Sequence, residues 1–403
     1  MKYILLIFLL ATTIYSESIF DKLGGASSKN PKDFYTNASP RAIELVNKSL
    51  KGIDSGNLVD YHTHIVGIEE EKNGTFINPK MRSWLHLKEY FRFKIYLSAL
   101  KIKSIFNADR EAVERLTSLI QNINGHGKYH LLAIDKYYNE DGSVNLNRTE
   151  FYVPNEYVFK LCREFPNLFI PTISVHPYRK DAIEELEKWN KEGVRFIKWI
   201  PNSQGIDPSN PKLESFYKKL IQLNMILLSH AGEEKAVDAE EDQKFGNPLL
   251  LRYPLGLGVK IIIAHCGSLG TNVDLESPDK KLVDNFDLFM RLMEDPKYQK
   301  NLFSDISAVI QFNRDKKVLE TLLFRKDLHT RLVHGSDYPL PAVNLVIRLN
   351  RLKDFGFLSS DEIEPLKEIY DYNPILFELV VKRTVQWKGN KFSDSIFLKN
   401  TNL

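Results

Sequence analysis

Short apolar runs that end in polar, chemically capable residues recur along the chain, separated by amphipathic segments. Eight runs have the length and composition of strands: LVDYHTHIV from Leu58, YHLLAIDKYY from Tyr129, LFIPTISVH from Leu168, VRFIKWI from Val194, MILLSHA from Met225, VKIIIAH from Val259, NLFSDIS from Asn301 and RLVHGSD from Arg331. Between them, apolar positions recur every three or four residues in ADREAVERLTSLIQNI, RKDAIEELEKWNK, LESFYKKLIQL, LVDNFDLFMRLM and VLETLLFRK, which predicts helices. Alternation of this kind builds a parallel sheet, and the span from Leu58 to Asn350 suits an α/β fold of the (β/α)8 TIM-barrel type. A doubly wound open sheet is the competing architecture. It calls for a phosphate-binding glycine motif, and neither GxGxxG nor GxxxxGK[ST] occurs.

The flanks read differently. MKYILLIFLLATTIYSES carries one lysine, an apolar stretch from Tyr3 to Ile14, then small polar residues. That is the pattern of a secretory signal, too short for a stable membrane-spanning helix, so export to a periplasmic or extracellular location is expected, with a cut after Ser16 or Ser18. The expected organisation is a signal peptide over 1–18, an N-terminal extension over 19–57 with a short helix at RAIELVNKSL, a barrel domain over 58–386 and a tail over 387–403. The helical patterns DEIEPLKEIYDY and NPILFELVVKRTVQW are expected to pack back on the barrel. No later run has transmembrane length, so no membrane anchor is expected after processing.

Composition narrows the class. With 403 residues, 43% of them hydrophobic, the chain can bury a large core. Lysine and arginine total 55 against 52 acids, and no basic run is interleaved with aromatics, so a small-molecule partner is expected rather than nucleic acid. A homo-oligomer is compatible with this composition. The two cysteines, Cys162 and Cys266, are too few for a disulfide framework and are expected to be free and buried. Asn37, Asn47, Asn73 and Asn147 are glycosylation acceptors only in a eukaryotic source.

Candidate chemistry lies where the strands end. His62 and His64, His176, Lys198, His230, His265, Asp305 and Asp337 all fall at C-terminal ends of predicted strands, which in a barrel surround one mouth. Strand alternation would put Leu58, Asp60, His62, His64 and Val66 on one face, the two imidazoles roughly 6.5 Å apart at Cβ and able to converge on one ion. Taken singly, His230 or His265 also reads as a hydrogen-bonded core histidine, Asp337 in HGSDYP as a helix cap and Lys198 as a rim lysine. Nucleophilic chemistry fits less well: there is no GxSxG, and adjacent His265 and Cys266 on a strand would point to opposite faces. A carboxylate pair drawn from Glu233, Glu234, Asp305 and Asp337 would leave the histidines unexplained.

GVRFIKWIPNSQGIDPSNPKLESFYKKLIQLNMILLSHAGEE, IIIAHCGSLG and LVHGSDYP, with the HxH of the first strand, resemble the metal-dependent amidohydrolase superfamily. The closer resemblance is to its amidohydrolase-related branch, which also contains decarboxylases of the aminocarboxymuconate-semialdehyde and resorcylate types. The resemblance implies that His62, His64, His230 and Asp337 hold a divalent ion, most simply zinc. His265 would contact water and substrate, or ligate a second ion. Lys198 separates the two pictures: carboxylated, it would bridge two ions, whereas the PNSQG segment that follows it resembles the single-metal branch. On this reading Asp337 is the proton acceptor, His265 orients water or polarises the substrate, and Asp60 and Asp305 support the histidine ligands. His176, Arg179 and Glu233 are candidates for substrate polar groups, with solvated loop charge as the competing reading. The function expected is metal-dependent hydrolysis of an amide, ester or lactone-like bond. Non-oxidative decarboxylation of a small acid is the alternative, followed by a barrel that binds without turnover.

Overall fold

The computed structural model describes residues 20–25, 29–54, 56–68 and 72–403. The expected signal peptide lies outside the described residues. Eight strands form one sheet: β1 Val59–His64, β2 Lys128–Leu132, β3 Phe169–Ile173, β4 Phe196–Trp199, β5 Ile226–Ser229, β6 Lys260–Ile263, β7 Leu302–Asp305 and β8 Leu332–Val333. They pair in chain order, every pair parallel. The ring closes between β8 and β1, where Tyr61 N–H donates to the His334 carbonyl (2.9 Å), Asp337 N–H to that of His62 (2.7 Å) and His64 N–H to that of Tyr338 (2.9 Å). The eight runs read from the sequence are these strands, and the fold is an α/β (β/α)8 barrel.

Parallel strands covered on both faces must be apolar on both, which is why ILLS in β5 and KIII in β6 do not alternate with polar residues. Their side chains still divide. Ile226, Leu228 and Ile262 pack inside the barrel with Val59, Tyr61, Leu132 and Phe303, while Leu227, Ile261 and Ile263 pack outward against helices. Full burial of each such side chain contributes about 1.5–3 kcal/mol. Covering helices follow the strands, among them Ala108–Gln121, Asn155–Glu164, Ala182–Lys191, Glu214–Gln222 and Lys316–Phe324. The helix expected from Leu282 starts instead at Asn285, because Leu282–Asp284 pairs antiparallel with Thr271–Val273. The tail crosses the N-terminal end of the barrel, Leu398 bridging to Leu58 and Leu403 packing on the interior cluster.

The helix Pro374–Thr384 packs on the closing seam and is buried almost throughout, including its charged residues Glu378 and Lys382, which form an ion pair. Lys382 also donates to the Gly335 carbonyl (2.7 Å), on the loop that carries Asp337. Burial pushes the Glu378 carboxyl up, against the pull of Lys382. Lys382→Met should therefore destabilise the protein by about 3–5 kcal/mol, because it strands a buried carboxyl. In urea unfolding, adding Glu378→Gln should recover a large part of that loss; no recovery would show that the pair is not the cause.

Candidate metal centre

The first strand does not keep simple alternation. Its register against β2 shifts between Asp60 and Thr63, and a bulge of this kind sets consecutive residues on one side. Leu58 therefore packs in the outer cluster and Tyr61 in the barrel interior, while His62 and His64 both line a cavity at the strand C-termini. The single shared face expected from Leu58 to Val66 is broken here, and the two imidazoles meet all the same. Their Nε2 atoms lie 3.2 Å apart.

Asp305, at the end of β7, ties three elements together. Its Oδ2 accepts from His62 Nδ1 (2.9 Å) and its Oδ1 from the His265 backbone N–H (2.9 Å), from Ser307 N–H (3.0 Å) and from the Ser307 hydroxyl. His62 thus spends its one N–H on Asp305 and turns the Nε2 lone pair toward the cavity. Donor atoms of His62, His265 and Asp305 also lie within 4.8 Å of one another, but this carboxylate is already saturated by hydrogen bonds.

His265 and Cys266 do not continue β6. Both have left-handed backbone, at φ 57° and 53°, in a tight turn over Ala264–Gly267. The opposite-faces argument against a Cys–His pair therefore fails in its premise, because the two residues are not on a strand. The thiol is nonetheless no nucleophile: it donates to the Asp305 carbonyl at 3.3 Å, and burial pushes it up to about 12. Both cysteines are free and buried. The turn directs the His265 ring into the cavity, stacked on His62 with centroids 5.0 Å apart, and its Nδ1 lies 2.6 Å from Ser307 Oγ. Since the Ser307 hydroxyl proton goes to Asp305, His265 Nδ1–H donates to Ser307 and its Nε2 is left as an acceptor.

Asp337 follows β8 with left-handed backbone (φ 59°), and it caps no helix. Its Oδ1 is 3.5 Å from His62 Nε2 and 3.5 Å from His64 Nε2. Two donors on a tetrahedral ion with bonds of about 2.0–2.2 Å stand about 3.3–3.6 Å apart, so this triangle has the size of a metal-ligand set. Burial holds His62 and His265 well below the ordinary imidazole range and His230 below it, so all three offer neutral rings. His230 lines the same cavity with its buried Nε2 unpartnered among the described residues, and its Nδ1 is 3.3 Å from Glu234 Oε2, the carboxylate support usual for a ligating histidine. It does not fall within the tight His62–His64–Asp337 group, whose donor atoms lie within 4.8 Å of one another. Lys198 is buried at the end of β4 with Nζ 3.0 Å from His62 Nε2, and burial depresses it to about 8. An amine so depressed gives up its proton at little cost beside a cation.

The remaining expected residues divide. Glu233 lines the cavity, paired with Lys235 at 3.3 Å. His176 does not reach it: Nε2–H donates to the Gln204 carbonyl (2.8 Å), and Nδ1 accepts from Tyr178 N–H (3.2 Å). Arg179 is likewise spent on Asp135 and Asp181. Asp60 touches no ligand ring; its Oδ1 accepts from the backbone N–H groups of His62 (2.9 Å) and Ser336 (3.0 Å), clamping β1 to the Asp337 loop. Ser307 and Arg314 were not read from the sequence, and the support of His230 by Glu234 was not either. Only a Glu four residues after His230 hinted at it.

Gly335 shows how tightly the clamp is built. A Cβ there would lie 2.7 Å from His62 Cβ. Gly335→Ala should displace His62 and weaken metal binding by about 10- to 100-fold, the range for disturbing a ligand's support, as read by competition with a chelating dye. Unchanged affinity would show that His62 is not a ligand.

A closed barrel gathers histidines and a carboxylate at one mouth, in groups that could hold a metal ion. The chain belongs to the amidohydrolase family: the family model described as Amidohydrolase matches residues 137–349. The match begins after β2, so the His62–His64 strand lies outside it. No curated protein matches. Among solved structures, the chain is similar to an uncharacterised TIM-barrel protein from Bordetella bronchiseptica (13% identity, 77% of this chain and 99% of that one, TM-score 0.46). It is also similar to 5-carboxyvanillate decarboxylase from Sphingomonas paucimobilis (12%, 72% and 92%, 0.42) and to 4-oxalomesaconate hydratase from Rhodopseudomonas palustris (14%, 78% and 93%, 0.41). These likenesses assign no reaction.

Proposed function

We propose that the protein is a metal-dependent hydrolase of a small-molecule amide, ester or lactone, with a single divalent ion, zinc, held by His62, His64, His230 and Asp337. The observation that carries this reading is the position of Asp337 Oδ1, equidistant from the two Nε2 atoms and at the edge of the cavity. Nitrogen and oxygen donors in this number suit zinc, which when bound supplies Lewis acidity sufficient to bring water within reach of deprotonation near neutral pH.

The chain's own residues do the rest. Asp337 accepts a proton from the attacking water and returns it to the leaving nitrogen or oxygen. His265, with Nδ1–H committed to Ser307, orients that water by accepting at Nε2; in this tautomer it does not donate to the substrate. Asp305 fixes the His62 tautomer, Glu234 fixes that of His230, and Lys198 stays a hydrogen-bonding neighbour of His62 instead of a bridge between two ions. Asp60 positions the strand, and Glu233 is left as a contact for substrate polar groups. Export through residues 1–18 belongs to the same proposal.

One observation favours the second reading, decarboxylation of a small acid: a cation without a counter-charge, Arg314, shares the cavity. Turnover in ¹⁸O-labelled water separates the two. Hydrolysis of a panel of amides, esters and lactones should place one ¹⁸O in each product acid. Carbon dioxide release from small acids, with no turnover of that panel, would replace hydrolysis by decarboxylation.

A further inference from the structure

Arg314 lies in the loop after β7 and lines the same cavity as the candidate ligands. It is the one arginine among the described residues that is buried as a whole, 7% exposed. Several partly buried arginines are matched by carboxylates, Arg92 by Glu150, Arg148 by Glu241 and Asp242, Arg179 by Asp135 and Asp181, while Arg331 donates to the Met293 carbonyl (2.7 Å). Arg314 has no such match. Nε donates to Ser268 Oγ (2.9 Å) and Nη1 to Asn313 Oδ1 (2.8 Å), both neutral, and Nη2 donates to nothing among the described residues. Asp337, Glu234 and Glu233 act on it only through space, none within 4.0 Å. Burial lowers the guanidinium to about 10, which still leaves it charged at neutral pH.

A buried cation without a counter-charge is costly, and a guanidinium held at Nε and Nη1 presents Nη2 as a charged donor to a carboxylate oxygen. The cavity's lining is largely apolar and includes Ile68, Phe93, Leu97, Leu269 and Leu340. The two glutamates of the cavity are engaged elsewhere, Glu233 with Lys235 and Glu234 with His230 and the Ala236 N–H.

We propose that Arg314 binds a carboxylate carried by the substrate, so that the molecule taken by this cavity is an organic acid with an apolar body between that carboxylate and the metal centre. The inference rests on the cavity being the substrate site of the proposed enzyme, and not on which bond is broken there. In the hydrolytic reading the carboxylate is a distal handle that survives turnover.

The test uses the full-length, metal-loaded protein and calorimetric titration with 3-phenylpropanoate and with 3-phenylpropanamide, which differ only in the anion. The acid should bind about 10- to 100-fold more tightly than the amide, the worth of a hydrogen bond to a charged group. Arg314→Gln should erase that preference, and Arg314→Lys, which keeps the charge and loses the guanidinium, should reduce it. Equal binding of the two probes, binding of neither, or a preference that survives Arg314→Gln would overturn the inference; the last result would place the carboxylate on the metal. If Arg314→Gln does not fold, the wild-type comparison and Arg314→Lys decide it, an undiminished preference in the lysine variant overturning it. Because the titration needs no turnover, acid binding without hydrolysis would uphold Arg314 and refute the hydrolytic reading, and hydrolysis without acid preference the reverse.

Discussion

Asp337→Asn is expected to lower kcat by about 10²- to 10⁴-fold while the ion stays bound, because general acid–base transfer is worth that much and the substitution removes only the base. The amide oxygen can occupy the place of Oδ1, 3.5 Å from both His62 Nε2 and His64 Nε2, so the proposed ion would keep its imidazoles and a neutral oxygen. What disappears is the second, proton-accepting role. The backbone adds a reason to choose Asn: Asp337 has φ 59°, and Asn is among the few residues that tolerate left-handed backbone, so the loop should not move. Metal content measured beside kcat makes the result readable. Full activity with bound metal would remove Asp337 from the proton pathway.

Removing the ion should have an effect at least as large. Dialysis of the wild-type protein against a chelator is expected to abolish turnover, and readdition of zinc to restore it. His62→Ala should abolish turnover without rescue. His62 is the side chain on which the centre converges: Nε2 faces His64, Lys198 and Asp337, and Nδ1–H satisfies Asp305. Its loss removes a proposed ligand and leaves a buried carboxylate short of a donor, at a cost of about 1–3 kcal/mol. The variant should therefore purify with little metal and unfold at lower urea. A His62→Ala protein that retains a full equivalent of metal would exclude this residue as a ligand.

The barrel was legible in the sequence because a strand buried on both faces must be a short apolar run, and eight such runs separated by amphipathic helices leave few alternatives. The cluster was legible for a related reason: polar groups at the ends of apolar strands are costly to bury without a partner. What escaped the sequence is set by backbone geometry. A one-residue bulge in β1 decides that His62 and Tyr61 share a side, and a left-handed turn decides that the His265 ring enters the cavity. Neither leaves a periodic signature. His176 shows the converse, since a strand-end position says nothing of direction, and its ring turns into the Gln204 carbonyl and Tyr178. Arg314 sits in a loop nine residues after Asp305, and its isolation from carboxylates is a fact of three dimensions.

Anomalous diffraction at the zinc edge from crystals of the metal-loaded protein tests the central claim most directly. The account predicts one peak, about 2.0–2.2 Å from Nε2 of His62, His64 and His230 and from a carboxylate oxygen of Asp337. A second peak bridged by a modified Lys198, or a single peak away from these four side chains, would contradict it.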